Sequence, residues 1–206
     1  MVVAAQLVDT RPARFMAWFA LVIVLATDAA YLSLVRGQTN GVDGQVLDVF
    51  TLPFVAGYVL AMAALLAASL VRWWSAAVRI PLRAAAAGGL LVLGVIAIFS
   101  IGLPLVIAGA MATGATVRTL RGPQLTKSSL SAVAAAVVAV VVLVAGFEVT
   151  ERMIVCPAHG SMGGGGTGFV SGPYYYDCVN GQLSFYSGSC NSGSTDSTGN
   201  ITHPGC

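Results

Sequence analysis

Long runs of apolar residues separated by short polar stretches fill the first three quarters of the chain, and the last quarter abandons that pattern. A helix needs about 20 apolar residues to cross ~30 Å of hydrocarbon at 1.5 Å per residue. Three runs meet that length plainly: Phe15 to Val35, Leu52 to Val71 and Ser129 to Phe147. In the second, Thr51 is placed as an N-cap and Pro53 lies in the first turn. Trp73-Trp74 follow its far end, and paired tryptophans favour the headgroup level. The third run is almost wholly Ala and Val with no polar face, which predicts a helix surrounded by lipid or by other helices.

Between Ala84 and Val117 the chain runs 34 residues without a charge. As one straight helix that stretch would measure about 51 Å, far more than the bilayer. The stretch Ser100-Ile101-Gly102-Leu103-Pro104 supplies a break at its middle, because Pro104 biases Leu103 away from helix and Gly102 is free to take positive φ. A tight helical hairpin is predicted, with arms over 82–99 and 104–120 and the arginines at both ends reaching for the headgroups. Small residues at packing spacing mark Ala132, Ala136 and Ala139 in the last span, and Ala110 with Gly114 in the second arm.

The polar last quarter carries one legible local pattern. Tyr174 to Val179 and Gln182 to Ser187 flank Asn180-Gly181, the dipeptide suited to a two-residue type I′ hairpin turn. That turn sets the register: Val179 faces Gln182, Cys178 faces Leu183 and Tyr176 faces Phe185, on one side with Tyr174. That side is the expected core of the tail, while Tyr175 and Tyr186 oppose one another on the other face. The run Gly163 to Gly166 lacks the Lys-Ser/Thr ending of a phosphate loop and is read as a flexible linker. Asn200-Ile201-Thr202 matches a glycosylation acceptor, relevant only in a eukaryotic secretory pathway.

Composition sharpens this outline. Of 206 residues, 57% are hydrophobic and 9% charged, against roughly a quarter charged in an ordinary soluble domain. The mean hydropathy of +0.85 excludes a soluble globular protein. A net charge of +2 gives no reason to expect a nucleic-acid partner. The positions of the basic residues are more informative, since Lys and Arg accumulate in short cytoplasmic loops. With five spans and the N-terminus inside, Arg11, Arg14, Arg72, Arg79, Arg83, Arg118, Arg121 and Lys127 fall inside and Arg36 and Arg152 outside, eight against two. No good A-x-A site follows the first span, so it is expected to be retained rather than cleaved. Arg72 to Arg83 is expected to be an inner loop beside anionic lipid.

The fold class expected is therefore an all-α integral membrane protein with five transmembrane helices, the third and fourth a tight hairpin, plus a small extracytoplasmic Cys-rich β-hairpin module. Residues 1–14 form the cytoplasmic N-terminus, 15–149 the transmembrane helical domain and 150–206 the tail. Nine arginines against one lysine, with much alanine, valine and glycine, look like a high-GC bacterial composition, which places the chain in a bacterial plasma membrane by association.

Candidate chemistry is sparse. Cys156, Cys178, Cys190 and Cys206 all lie in the tail, where a piece this small and poor in aliphatics is expected to rely on structural disulfides; three pairings stay open. The alternative is a metal site of Cys156, His159, His203 and Cys206 with a Cys178–Cys190 bridge, although its thiol–imidazole spacing is unlike a usual half-site. Asp28 is the one ionisable side chain well within a span, a functional candidate by default and otherwise a hydrogen-bond partner of Tyr31 or a neighbouring helix. Glu148 and Glu151 read as headgroup-level residues. No Ser-His-Asp, His-Glu-x-x-His or Gly-x-Ser-x-Gly arrangement exists, so no catalytic residue and no cofactor is expected, and the chain is not read as an enzyme. The expected role is an accessory or scaffold subunit of a larger plasma-membrane complex, of envelope-biogenesis or respiratory type. Its partners would be lipid and other membrane subunits, and the tail would dock them. The alternatives are a small oligomeric channel or transporter using Asp28, and metal handling by the tail.

Overall fold

The computed structural model describes residues 11–39, 50–71, 73–119, 125–187, 194–195 and 201–202. Five helices, each long and apolar enough to cross a membrane, carry most of the chain. They are α1 (Arg11–Thr39), α2 (Thr51–Ser69), α3 (Ala76–Ile96), α4 (Leu103–Thr119) and α5 (Leu125–Thr150). The described residues divide into two compact units, one of 11–39 and 52–143 and the other of 50–51 and the residues from Val144 onward.

In the helical unit, α4 packs against both α1 and α3. The contact side of α1 is a stripe of small residues, Ala13, Ala17 and Ala20, continued by Val24 and Asp28 at helical spacing. Ala115 of α4 joins Ala13 and Ala17 in one buried cluster. On α4 the buried stripe is Leu105, Ala108, Ala112 and Ala115, whereas Ala110 is exposed, so the small-residue pair expected there lies partly on the wrong face. Gly114 does meet Met16 of α1, and Ala132 of α5 packs with Ile80 and Ala84 of α3. The buried Tyr58 hydroxyl of α2 donates to the Ala139 carbonyl of α5 at 2.8 Å.

The predicted hairpin is present as α3 and α4, but its reversal differs from the expectation. A π-helical turn, Ile98–Gly102, joins the arms, and Gly102 N–H donates to the Ala97 carbonyl at 2.8 Å. Gly102 is not among the positive-φ residues. It is needed for a different reason: a Cβ there would run into the Gly94 carbonyl oxygen and stand 2.5 Å from Ala97 C. The arms are equally close, since a Cβ on Gly109 would lie 2.8 Å from Leu91 Cγ. Backbone proximity of this kind drives helix association where no hydrophobic effect operates between helices.

The second unit holds an antiparallel sheet of β1 (Ser161–Gly168), β2 (Gly172–Val179) and β3 (Gln182–Ser187), with β2 central. A two-stranded pair, β4 (Ser194–Thr195) and β5 (Ile201–Thr202), follows. The β2–β3 register is the one the turn predicts, with Cys178 opposite Leu183, Tyr176 opposite Phe185 and Tyr175 opposite Tyr186. Asn180 at φ 50 and Gly181 at φ 82 occupy the left-handed region that a type I′ turn requires at both central residues. The four glycines expected to be a linker are instead strand β1, pairing residue for residue with Asp177 to Tyr174.

Candidate functional site

Asp28 lies on the buried stripe of α1, 4% exposed, beside the equally buried Thr27. Thr27 satisfies itself by donating to the Ile23 carbonyl at 2.8 Å. Asp28 has no such outlet: no donor among the described residues reaches its Oδ1, so the expected bond to Tyr31 is not made there. A carboxylate left this way in an apolar helix interface is costly unless it holds a proton or a cation.

A second polar cluster gathers where α2 ends. Arg14 of α1 donates from Nη2 to the Leu70 carbonyl at 3.2 Å. Arg83 of α3 donates from Nε to Ser69 Oγ at 3.2 Å, from Nη2 to the Ser69 carbonyl at 3.5 Å and from Nη1 to Thr119 Oγ1 of α4 at 3.4 Å. Two guanidinium groups thus cover carbonyls at a helix C-terminus, where orphan acceptors and the negative end of the macrodipole favour cations. Arg83 is 1% exposed, which corrects the expectation that the hairpin's arginines all reach for headgroups. The signal was present in the spacing: Arg83 falls on the same stripe as Ile80, Ala87 and Leu90.

In the sheet unit the last turn of α5 acts as a mount. Glu148 accepts the Val170 N–H at 2.6 Å through Oε1 and the Ser171 hydroxyl at 2.8 Å through Oε2, pinning the β1–β2 turn. Phe147 and Phe169 rings meet at 6.1 Å, and the Tyr174 hydroxyl donates to the Glu151 carbonyl at 3.1 Å. Arg152 lies 3.8 Å from Glu148 Oε2. The sequence ranked Glu148 as a headgroup-level residue only; its role as a turn anchor depends on a partner 22 residues away.

Glycine and tyrosine then lock the sheet. Cβ atoms on Gly164 and Gly166 would stand 2.6 Å from the hydroxyls of Tyr176 and Tyr174, so both rings lie across β1 where only glycine leaves room. Tyr174 also stacks on Phe185, with centroids 5.3 Å apart and planes 14° off parallel. A disulfide joins Cys156 to Cys178, with Cα atoms 5.4 Å apart, and Cys178 is fully buried. On the same face Leu183 and Phe185 stay 44% and 40% exposed, so this side is only in part the core expected of it.

The bridge bears on the metal alternative. Bonded to Cys178, Cys156 has no thiolate to offer a metal, and the Cys178–Cys190 pairing which that alternative needed is not the one formed. His159 is exposed, and no group of metal-ligating side chains occurs among the described residues. Cys190, His203 and Cys206 lie outside the described residues. Comparison with protein-family models, with curated proteins and with solved structures finds no match to this chain.

Proposed function

We propose that the chain is an accessory subunit of a larger assembly in a bacterial plasma membrane, spanning it five times with the N-terminus inside, and that the sheet outside is its docking surface. The observation that carries this reading is the sheet itself. It is preassembled on the end of α5 by Glu148 and by the Tyr174–Glu151 contact, stapled by Cys156–Cys178, and presents Leu183 and Phe185 half exposed on its tyrosine-backed face. Rigid aromatic and aliphatic side chains already held in place lose little entropy on binding and suit an interface centre. In mild detergent, native electrophoresis with mass spectrometry should find the protein in a stoichiometric complex larger than its own 21.0 kDa. Leu183→Glu with Phe185→Glu should release the companion while the Cys156–Cys178 bridge still forms. A lone monomer in the mildest detergent that extracts it overturns the reading.

A second reading, a small proton or cation pathway, is favoured by one observation, the buried Asp28 oxygen without a donor. Reconstituted vesicles test it directly: Asp28→Asn should abolish flux of protons or sodium, and equal flux in both proteins leaves Asp28 structural.

A further inference from the structure

The side of α1 turned away from its buried alanines has a chemistry of its own. Arg11, Arg14, Phe15, Trp18, Phe19 and Val22 follow one another at i, i+3, i+4, i+7, i+8 and i+11, a single helix face, and border an open surface groove of about 450 Å³. Phe15, Trp18, Phe19 and Val22 are about half exposed, and the Phe15 and Phe19 rings pack at 4.7 Å. From Arg11 to Val22 the groove runs about 16 Å at 1.5 Å per residue, close to half of the ~30 Å hydrocarbon thickness. It is thus cationic at one end and apolar for the depth of one leaflet.

We propose that this groove binds one anionic phospholipid, with the phosphate on Arg11 and Arg14 and an acyl chain along Phe15, Trp18, Phe19 and Val22. The Arg14–Leu70 hydrogen bond uses one N–H of a guanidinium that has five, and it fixes the remainder at the head of the groove. Arg11 is exposed and has no carboxylate partner among the described residues. The first described turn of α1 holds two arginines and no acidic residue. A second copy of the chain fits less well, because a two-fold contact along this face would bring like charges together. The inference does not depend on what the sheet docks.

Trp18 gives the test its probe. The full chain carrying W73F and W74F keeps Trp18 as its sole tryptophan and is reconstituted in phosphatidylcholine vesicles with a minor share of phosphatidylglycerol, one lipid or the other brominated on its acyl chains. Brominated phosphatidylglycerol should quench Trp18 several-fold more per molecule than brominated phosphatidylcholine. The ratio should fall toward one in R11Q/R14Q, and fall measurably in R11Q, which leaves the Arg14–Leu70 bond in place. Equal quenching by the two lipids in the parent, or an unchanged ratio in both variants, overturns the proposal. So does weak quenching by either lipid together with a cross-linked dimer. Relief of the quenching by soluble glycerol phosphate would assign the site to a free phosphate and overturn it likewise.

Discussion

Asp28 and Arg83 are two buried charges with opposite arithmetic. Asp28 Oδ1 has no donor among the described residues, so Asp28→Leu removes a desolvation cost and breaks no hydrogen bond seen in the structure. It should stabilise the detergent-solubilised protein by about 1–3 kcal/mol, the cost typical of a buried unsatisfied polar group. Asp28→Asn should change stability little. A thermal melt that falls for Leu would reveal a partner required in the membrane, and a protein that is more stable yet inactive would mark Asp28 as a functional group kept at the expense of stability. Arg83 bonds to two other helices, and Arg83→Ala should cost about 2–4 kcal/mol by stranding the Ser69 and Thr119 acceptors. Lysine should rescue poorly, since one ammonium does not reproduce a planar fork that spans both helices. A melt for Arg83→Lys equal to the parent's would refute that.

Among the elements, legibility followed the side chains. The β2–β3 hairpin was readable to the residue because Asn180-Gly181 has a strong turn preference, and a two-residue turn fixes the register of the strands on either side. Strand β1 was not readable, because glycine carries no pattern; its strand character comes from the Tyr174 and Tyr176 rings laid over Gly166 and Gly164. The same blindness applied at Gly102, where sequence suggests a left-handed residue and the structure needs instead an absent Cβ in a π-helical turn. It follows that Gly164→Val with Gly166→Val should displace both rings, break the Tyr174–Glu151 contact and weaken the near-ultraviolet tyrosine circular dichroism, while far-ultraviolet helicity is kept. Retention of the tyrosine signal would show that β1 does not depend on those glycines. Reduction of Cys156–Cys178, which closes a separation of 22 residues, should destabilise the sheet by about 3 kcal/mol and leave the helices intact by the same two measurements.

For the whole molecule, five membrane-length helices agree with the count that hydropathy predicts, while the tail's expected hairpin is extended by β1 to a three-stranded sheet. The count rests on reading 84–117 as two helices, which the excessive length of a single rod made visible; Leu103, expected to be kept out of helix by Pro104, is itself helical at φ −56 and ψ −51 and opens α4. The partner proposed for the tail is not legible in the sequence, because an interface is defined by a partner's surface as much as by its own. The proposed orientation has a direct check in whole cells. In a background lacking the native cysteines, Ser75→Cys and Ser128→Cys should resist an impermeant maleimide, and Ser100→Cys at the hairpin turn should react. Strong labelling of either of the first two refutes an inside placement of those loops.

The Cys156–Cys178 bond also keeps a history. On the proposed orientation its two sulfurs meet an oxidant only after the tail has crossed the membrane, whereas a chain threaded the opposite way leaves both thiols in the reducing cytosol. The bridge is therefore a covalent record of each molecule's insertion, written once and readable afterwards. The fraction of chains whose Cys156 can be alkylated without a reductant counts those threaded backwards. Moving arginines from one side of α1 to the other should raise that fraction in step with the charge imbalance removed.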